Sequence, residues 1–294
     1  MTASTLTHQV TDEFRWNLLQ KKNLELNAVR AFALFREHGI EPILIKGIAA
    51  AQYYPPERPR ISIDLDLAVS SKDFEAANSL ARSETAIGLA IDLHRELRHL
   101  DSVEWSDLLA NSCELRLEGG SLRVLRPEDH LRVLCVHWLT DGGANKDRLW
   151  DIYYAVTNRE TDFEWDRFLN IVSATRRRWL VCTIGLAARY LDLDLAGTPI
   201  ENEARNLPKW LTDTVTREWE REIKFEPLEV AIADRKRLFD QVGRRLRPNP
   251  IRATVEAEGS FDARTRVFYQ IANIFQRILP SYRRVKKTLG HRNK

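Results

Sequence analysis

Apolar and polar side chains alternate without a break through ISIDLDLAV, residues 61–69, with Ile, Ile, Leu, Leu and Val at the odd positions and Ser, Asp, Asp and Ala at the even ones. A period of two predicts a β-strand with one apolar face. Asp64 and Asp66 then project from the other face, with Cα atoms roughly 6.5–7 Å apart. The alternation returns over residues 89–94, with Leu89, Ile91 and Leu93 on one side and Asp92 and His94 on the other. Paired beside the first strand, this second one turns Asp92 toward Asp64 and Asp66.

The surrounding pattern supplies the rest of a small mixed sheet. Residues 42–45 predict a short buried strand, and Lys46-Gly47 opens a helix over 48–54 that Pro55-Pro56 ends. Before them, Phe14, Leu18, Leu24, Val29, Phe32 and Phe35 recur at helical spacing over 11–38, and Gly39 stands as a C-cap. Ser70 to Asp73 offer an N-cap for a helix reaching Ala81, a short helix follows over 105–111, and residues 113–117 and 122–125 form a hairpin around Gly119-Gly120. After Arg126-Pro127 the pattern turns helical, with segments predicted over 128–140, 147–158, 164–175, 177–191, 208–222, 227–246 and 262–279. The expected fold class is α+β or α/β. A small mixed-sheet domain over residues 1–125 precedes an all-helical domain over 126–294.

Composition narrows the class of protein more than its activity. Of 294 residues 44% are hydrophobic and 30% charged, as in a soluble globular chain. Forty-five basic against 42 acidic residues leave a net charge of +3, which demands no polyanionic partner. Basic runs at 176–178, 235–247 and 283–294 would be the docking places for nucleic acid, but such clusters on helices are usually solvated faces, so nucleic acid is allowed and not favoured. Cys113, Cys135 and Cys182 show no metal-ligand spacing and no disulfide framework. With no signal sequence and no apolar run of about 18 residues, the expectation is a cytoplasmic protein with no membrane partner.

The candidate chemistry lies in the acidic strands. Three carboxylates on one face repel one another unless a divalent cation sits among them, and hard oxygen ligands suit Mg²⁺ or Mn²⁺. The crowding also predicts that removing the charges of Asp64 and Asp66 leaves the metal-free fold as stable as before, or more so. Gly47 lets backbone N–H groups at a helix start approach an anion, and Lys46 and Arg60 are available for phosphate oxygens. His94 shares the acidic face and could touch metal, phosphate or acceptor, or simply buttress the strand edge. His137, Arg148 and Asp151 fall on two consecutive predicted helices as further cleft candidates; the alternative for each is packing or an ion pair.

Strand, glycine-led helix, Asp-x-Asp strand and a third acid on a following strand resemble the nucleotidyltransferase (DNA polymerase β-like) superfamily. More closely, LIKGIAA, YYP, RPRISIDLDLAV and IDLH are similar to the uncharacterised nucleotidyltransferase family, whose pattern is KG-A, YP, R-x-x-x-D-I-D-L-L-V, then D-L-H. The segments RPEDHLRVLCVHWL, RLWDIYYAV and RVFYQIANIFQRILPSYRRVKK fit as well. The resemblance implies metal-dependent transfer of a nucleoside monophosphate from an NTP, most simply ATP, to a small-molecule, peptide or protein acceptor. It implies that Asp64 and Asp66 hold the Mg²⁺ (or Mn²⁺) bridging the triphosphate, and that Asp92 shares a second ion and acts as general base. Lys46, the Gly47 amide and Arg60 would neutralise triphosphate charge. One departure is that most active superfamily members carry Gly-Ser where this chain has Lys46-Gly47-Ile48. The rival readings are a phosphotransferase or a peptide- or protein-modifying enzyme on the same site, a nucleotide-binding pseudoenzyme, and an RNA-binding module.

Overall fold

The computed structural model describes residues 12–97, 103–221 and 248–275, with the isolated positions 236 and 243, and side chains from residue 15 onward. Apart from those two positions, the helix expected over 227–246, the end of the one over 262–279 and the basic stretches 235–247 and 283–294 lie outside the described residues.

Helix α1 (Asp12–Glu37) ends at Gly39, whose φ of 71° turns the chain into β1 (Ile43–Leu44) and the short α2 (Gly47–Ala51). Then come β2 (Leu65–Val69), α3 (Phe74–Ala81), a 3₁₀ turn, β3 (Ile91–Arg95) and α4 (Trp105–Ala110). The hairpin β4 (Cys113–Leu117) and β5 (Gly120–Val124) turns at Glu118-Gly119. Helices α5 (Pro127–Thr140), α6 (Leu149–Thr157), α7 (Trp165–Asn170), α8 (Ala174–Leu191), α9 (Glu201–Arg205), α10 (Lys209–Glu220) and α11 (Pro250–Glu256) follow, and residues 267–275 are also helical. None of the described helices is long and apolar enough to cross a membrane.

The five strands form one mixed sheet in the order β3-β2-β1-β5-β4. β2 runs antiparallel to β1 and parallel to β3; β5 runs parallel to β1 and antiparallel to β4. Both sheet faces are covered. Leu24, Ala28, Phe32 and Phe35 of α1 pack with Leu44, Leu65, Leu67, Val69, Leu122 and Val124, while Ile43, Ile45 and Ala68 pack with Leu97, Leu108, Leu125 and Val133. All five residues of β2 are therefore buried, Asp66 among them.

The strand is shorter than its alternation. Ile61 and Ile63 stay outside the sheet, and Ile63 is 82% exposed rather than core-facing. The reason is pairing: β3 meets β2 only over Leu65 to Val69 and β1 only at Leu67 and Ala68, so among the described residues no ladder reaches back to Ile61. The break between α7 and α8 also comes early, because the Ser173 side chain caps α8 by accepting from the Arg176 N–H at 3.3 Å. Helix α11 carried no clear apolar period, yet Asn249 caps it by accepting from the Ile251 and Arg252 N–H groups ahead of Pro250 in the first turn.

The chain divides into two compact units, Met1–Val133 with Tyr154–Ile171, and Leu134–Tyr153 with Val172–Lys294. In the first, residues 154–171 return to the sheet unit: the Asn158 amide donates to the Tyr53 carbonyl at 2.7 Å, and Arg126 bridges Glu128 and Glu164 at 2.8 Å each. In the second, every described element is a helix, with Trp179 buried against Phe261 and donating to the Gly259 carbonyl. Its basic run is held in ion pairs, Arg176 with Glu258, Arg177 with Glu203 and Arg178 with Asp262.

Leu67 is fully buried beside Asp66, on the face that α1 covers. Leu67→Ala should cost about 2–5 kcal/mol, read from the urea midpoint; a smaller loss would show that the strand is held by something other than this core.

Candidate active site

The sheet register builds the site. Side chains two apart on a strand share a face, and directly paired residues of neighbouring strands lie side by side. Asp66 pairs with Asp92 and Ala68 with His94, so Asp66, Asp92 and His94 emerge together on the face opposite Leu65, Leu67, Ile91 and Leu93. His94 Nε2 lies 3.0 Å from Asp66 Oδ1 and 3.3 Å from Asp92 Oδ2. Two carboxylate oxygens around one ring nitrogen make that nitrogen the donor.

Lys46 arrives from the end of β1. Its ammonium reaches Asp66 Oδ1 at 2.5 Å and lies 3.4 Å from His94 Nε2. To aim inward it adopts φ 54°, ψ −143°, a region that residues with a Cβ rarely enter. Its N–H donates to His130 Nε2 at 3.1 Å, and its carbonyl accepts the first bond of α2, from Ala50 N–H at 2.8 Å. Helix α2 has only five residues, so the ammonium carries more of the site's positive charge than a helix dipole could.

The segment before β2 passes close to this turn. A Cβ built on Gly47 would lie 3.4 Å from Ser62 Oγ and 3.6 Å from the Asp64 carbonyl, and Arg60 donates to Ser62 Oγ. Lys46, Gly47, Arg60, Asp64, Asp66, Asp92 and His94 thus belong to one neighbourhood of the sheet unit. Asp64 itself sits one residue ahead of β2, half-buried, and is not among the three residues whose donor atoms converge.

Burial acts to raise the Asp66 carboxyl, but the hydrogen bond from His94 and the Lys46 ammonium outweigh it and hold the group below the ordinary carboxylate range. Asp66, Asp92 and His94 each offer one ligand atom, all within 4.8 Å of one another, and so form a group that could hold a metal ion. Two carboxylates suit a hard divalent ion, and the imidazole favours Mn²⁺ or another borderline ion over Mg²⁺.

The candidates on the later helices are placed differently. His137 and Arg148 contact each other, and Arg148 pairs with Asp141 at 2.7 Å, a cluster within the second unit. Asp151 is buried in that same unit. His130 was not among the expected site residues, although the family-like segment RPEDHLRVLCVHWL carries it. The one signal for it is its place in the polar run that opens α5, where Glu128, Asp129, His130 and Arg132 are all buried and each must find a partner.

Strand, Lys-Gly turn, acidic strand and a second acid-bearing strand at its side make the sheet unit that the resemblance implied. The family model described as uncharacterised nucleotidyltransferase matches residues 3–86 and 82–192, well over half of the chain, and the protein belongs to that family. Neither the curated proteins nor the solved structures contain a match. Membership brings the general activity, nucleotidyl transfer, without the nucleotide or the acceptor.

The Asp66 pairing gives a different expectation from crowding alone. The carboxylate contributes stability above the ordinary carboxylate pKa, and that contribution is lost as the pH falls through the lowered value. Asp66→Asn leaves the buried Lys46 ammonium without its counter-charge, so the metal-free protein should lose roughly 3 kcal/mol. The variant's stability should also fall less steeply than the wild type's below about pH 4. Denaturation at several pH values in EDTA checks both; equal stability and equal acid limbs would mean that the pair contributes nothing.

Proposed function

We propose that the protein transfers a nucleoside monophosphate from an NTP, most simply ATP, to a small-molecule, peptide or protein acceptor, at the cluster of Lys46, Asp66, Asp92 and His94. The observation that carries this reading is a buried carboxylate at 2.5 Å from a lysine ammonium, beside a second carboxylate and an imidazole whose donor atoms converge within 4.8 Å. A divalent cation held there, Mg²⁺ or Mn²⁺, would supply Lewis-acid neutralisation of the triphosphate.

The chain's own residues divide the remaining work. Asp66, nine-tenths shielded, is the fixed anchor, and Asp92, with a side chain 56% exposed, is open to an incoming group and serves as the general base for the acceptor. Lys46 stands on Asp66 as long as that carboxylate has no other cation. With a divalent ion held by Asp66, Asp92 and His94, the ammonium would be available to a phosphate oxygen, as a point charge on a flexible stem. Arg60 and the Gly47 N–H add positive charge from the neighbouring segment, and Asp64 is the remaining carboxylate for a second ion.

A second reading, nucleotide binding without turnover, is favoured by one fact: Asp64 stands outside the converging set, which leaves two carboxylates and one imidazole. Labelled ATP separates the two, since the enzyme releases pyrophosphate and leaves label on an acceptor, whereas the binder releases neither.

Lys46→Gly removes the ammonium and keeps a residue suited to the backbone conformation. By calorimetry it should bind Mn²⁺ alone more tightly than the wild type, and ATP with Mn²⁺ about tenfold more weakly. Wild-type ATP binding should vanish in EDTA. Unchanged affinities in the variant, or equal ATP binding with and without EDTA, would remove both the lysine and the cation from the reading.

A further inference from the structure

His130 is buried without exposed surface on α5, and what it holds is the backbone of Lys46. The N–H of Ile45 donates to the Asp66 carbonyl at 2.9 Å and continues the β1–β2 pairing. The next N–H along an extended chain points the opposite way. There β5 has already ended, at Val124, and the acceptor is an imidazole contributed from 84 residues further along the chain.

The direction of that bond fixes the chemistry of the ring. A backbone N–H can only donate, so Nε2 carries no proton, and the neutral ring must carry its proton on Nδ1. Nδ1 lies 3.2 Å from the Tyr53 hydroxyl, which accepts it. Tyr53 closes the turn after α2, and burial pushes its phenol well up, so it remains a neutral hydroxyl. The ring is held in turn by the start of α5. Glu128 accepts from the Glu164 N–H and from Arg126, and Asp129 pairs with Arg132 and Arg167, all within the first unit.

We propose that His130 is a positioning residue: as the Nδ1–H tautomer set by Tyr53, it holds the strained Lys46 turn so that the ammonium points at Asp66 and at the nucleotide phosphate. The role of Lys46 toward phosphate rests on the proposed function; the hold on the turn does not. A backbone conformation costing about 1–3 kcal/mol persists only where its surroundings impose it. Here the surroundings are one hydrogen bond on the N–H, one on the carbonyl and an ion pair on the side chain. Of these, only the first comes from a side chain with no other place in the site.

The test uses the full chain, with His130→Leu, His130→Gln and Tyr53→Phe. Glutamine can present an acceptor oxygen near the place of Nε2; leucine cannot. In ¹⁵N-labelled wild type, His130 should show the Nδ1–H tautomer without any nucleotide present, and the Lys46 amide should resist hydrogen exchange. His130→Leu should lose that protection and bind ATP with Mn²⁺ about tenfold more weakly, and His130→Gln should recover both to within about threefold. An Nε2–H tautomer in the wild type, or a folded His130→Leu with Lys46 protection intact, overturns the proposal. If the wild type binds no nucleotide, the proposed function fails, and the tautomer and exchange measurements still decide the hold on Lys46. If His130→Leu does not fold, Tyr53→Phe decides: a shifted tautomer with faster Lys46 exchange supports the proposal, and no change in either overturns it.

Discussion

A carboxylate on a strand covered on both faces must have a counter-charge within reach, and in this protein that constraint falls on Asp66. Little of the residue reaches solvent, because cores from α1 on one side and α4 and α5 on the other bury every position of β2. It stays ionised because Lys46 and His94 meet it. Lys46 meets it only by leaving β1 through a conformation that residues with a Cβ avoid, and that conformation in turn needs an acceptor for a stranded N–H, which His130 supplies. One buried charge thus links the strand order, the turn and the first turns of α5.

The same pairing explains how this acidic cluster holds together. Three acids around an empty space would repel one another. Two acids, an imidazole and an ammonium do not, and the ammonium stands where a metal ion would otherwise neutralise Asp66. In the proposed reading a divalent ion on Asp66 would replace a single positive charge by a double one and would leave Lys46 available for phosphate. The fold therefore keeps the cluster formed through its own charges.

Much of this was legible in the sequence, for definite reasons. The alternation around Asp66 and Asp92 placed both on one face, and the parallel pairing of β2 with β3 set them side by side. Glycine, proline and the apolar period located α1, the Lys-Gly turn, the β4–β5 hairpin and most of the later helices. What periodicity could not show was where the ladder stops. Ile61 and Ile63 continue the pattern although no neighbour pairs with them, so Asp64 was placed on the strand when it lies just before it. Nor could spacing show that Lys46 would pair with Asp66, or that His94 would stand closer to the acids than Asp64, because both depend on register across strands. His130 was hidden for a simpler reason: its partner is a backbone N–H, which leaves no mark on the side-chain pattern.

The most direct measurement is a crystal structure of the full chain with a non-hydrolysable ATP analogue and Mn²⁺. The prediction is one ion bound by Asp66 and Asp92, with His94 turned to it and the Lys46 ammonium moved from Asp66 to a phosphate oxygen. An analogue bound elsewhere, with Lys46 still on Asp66 and no ion between the two carboxylates, would contradict it.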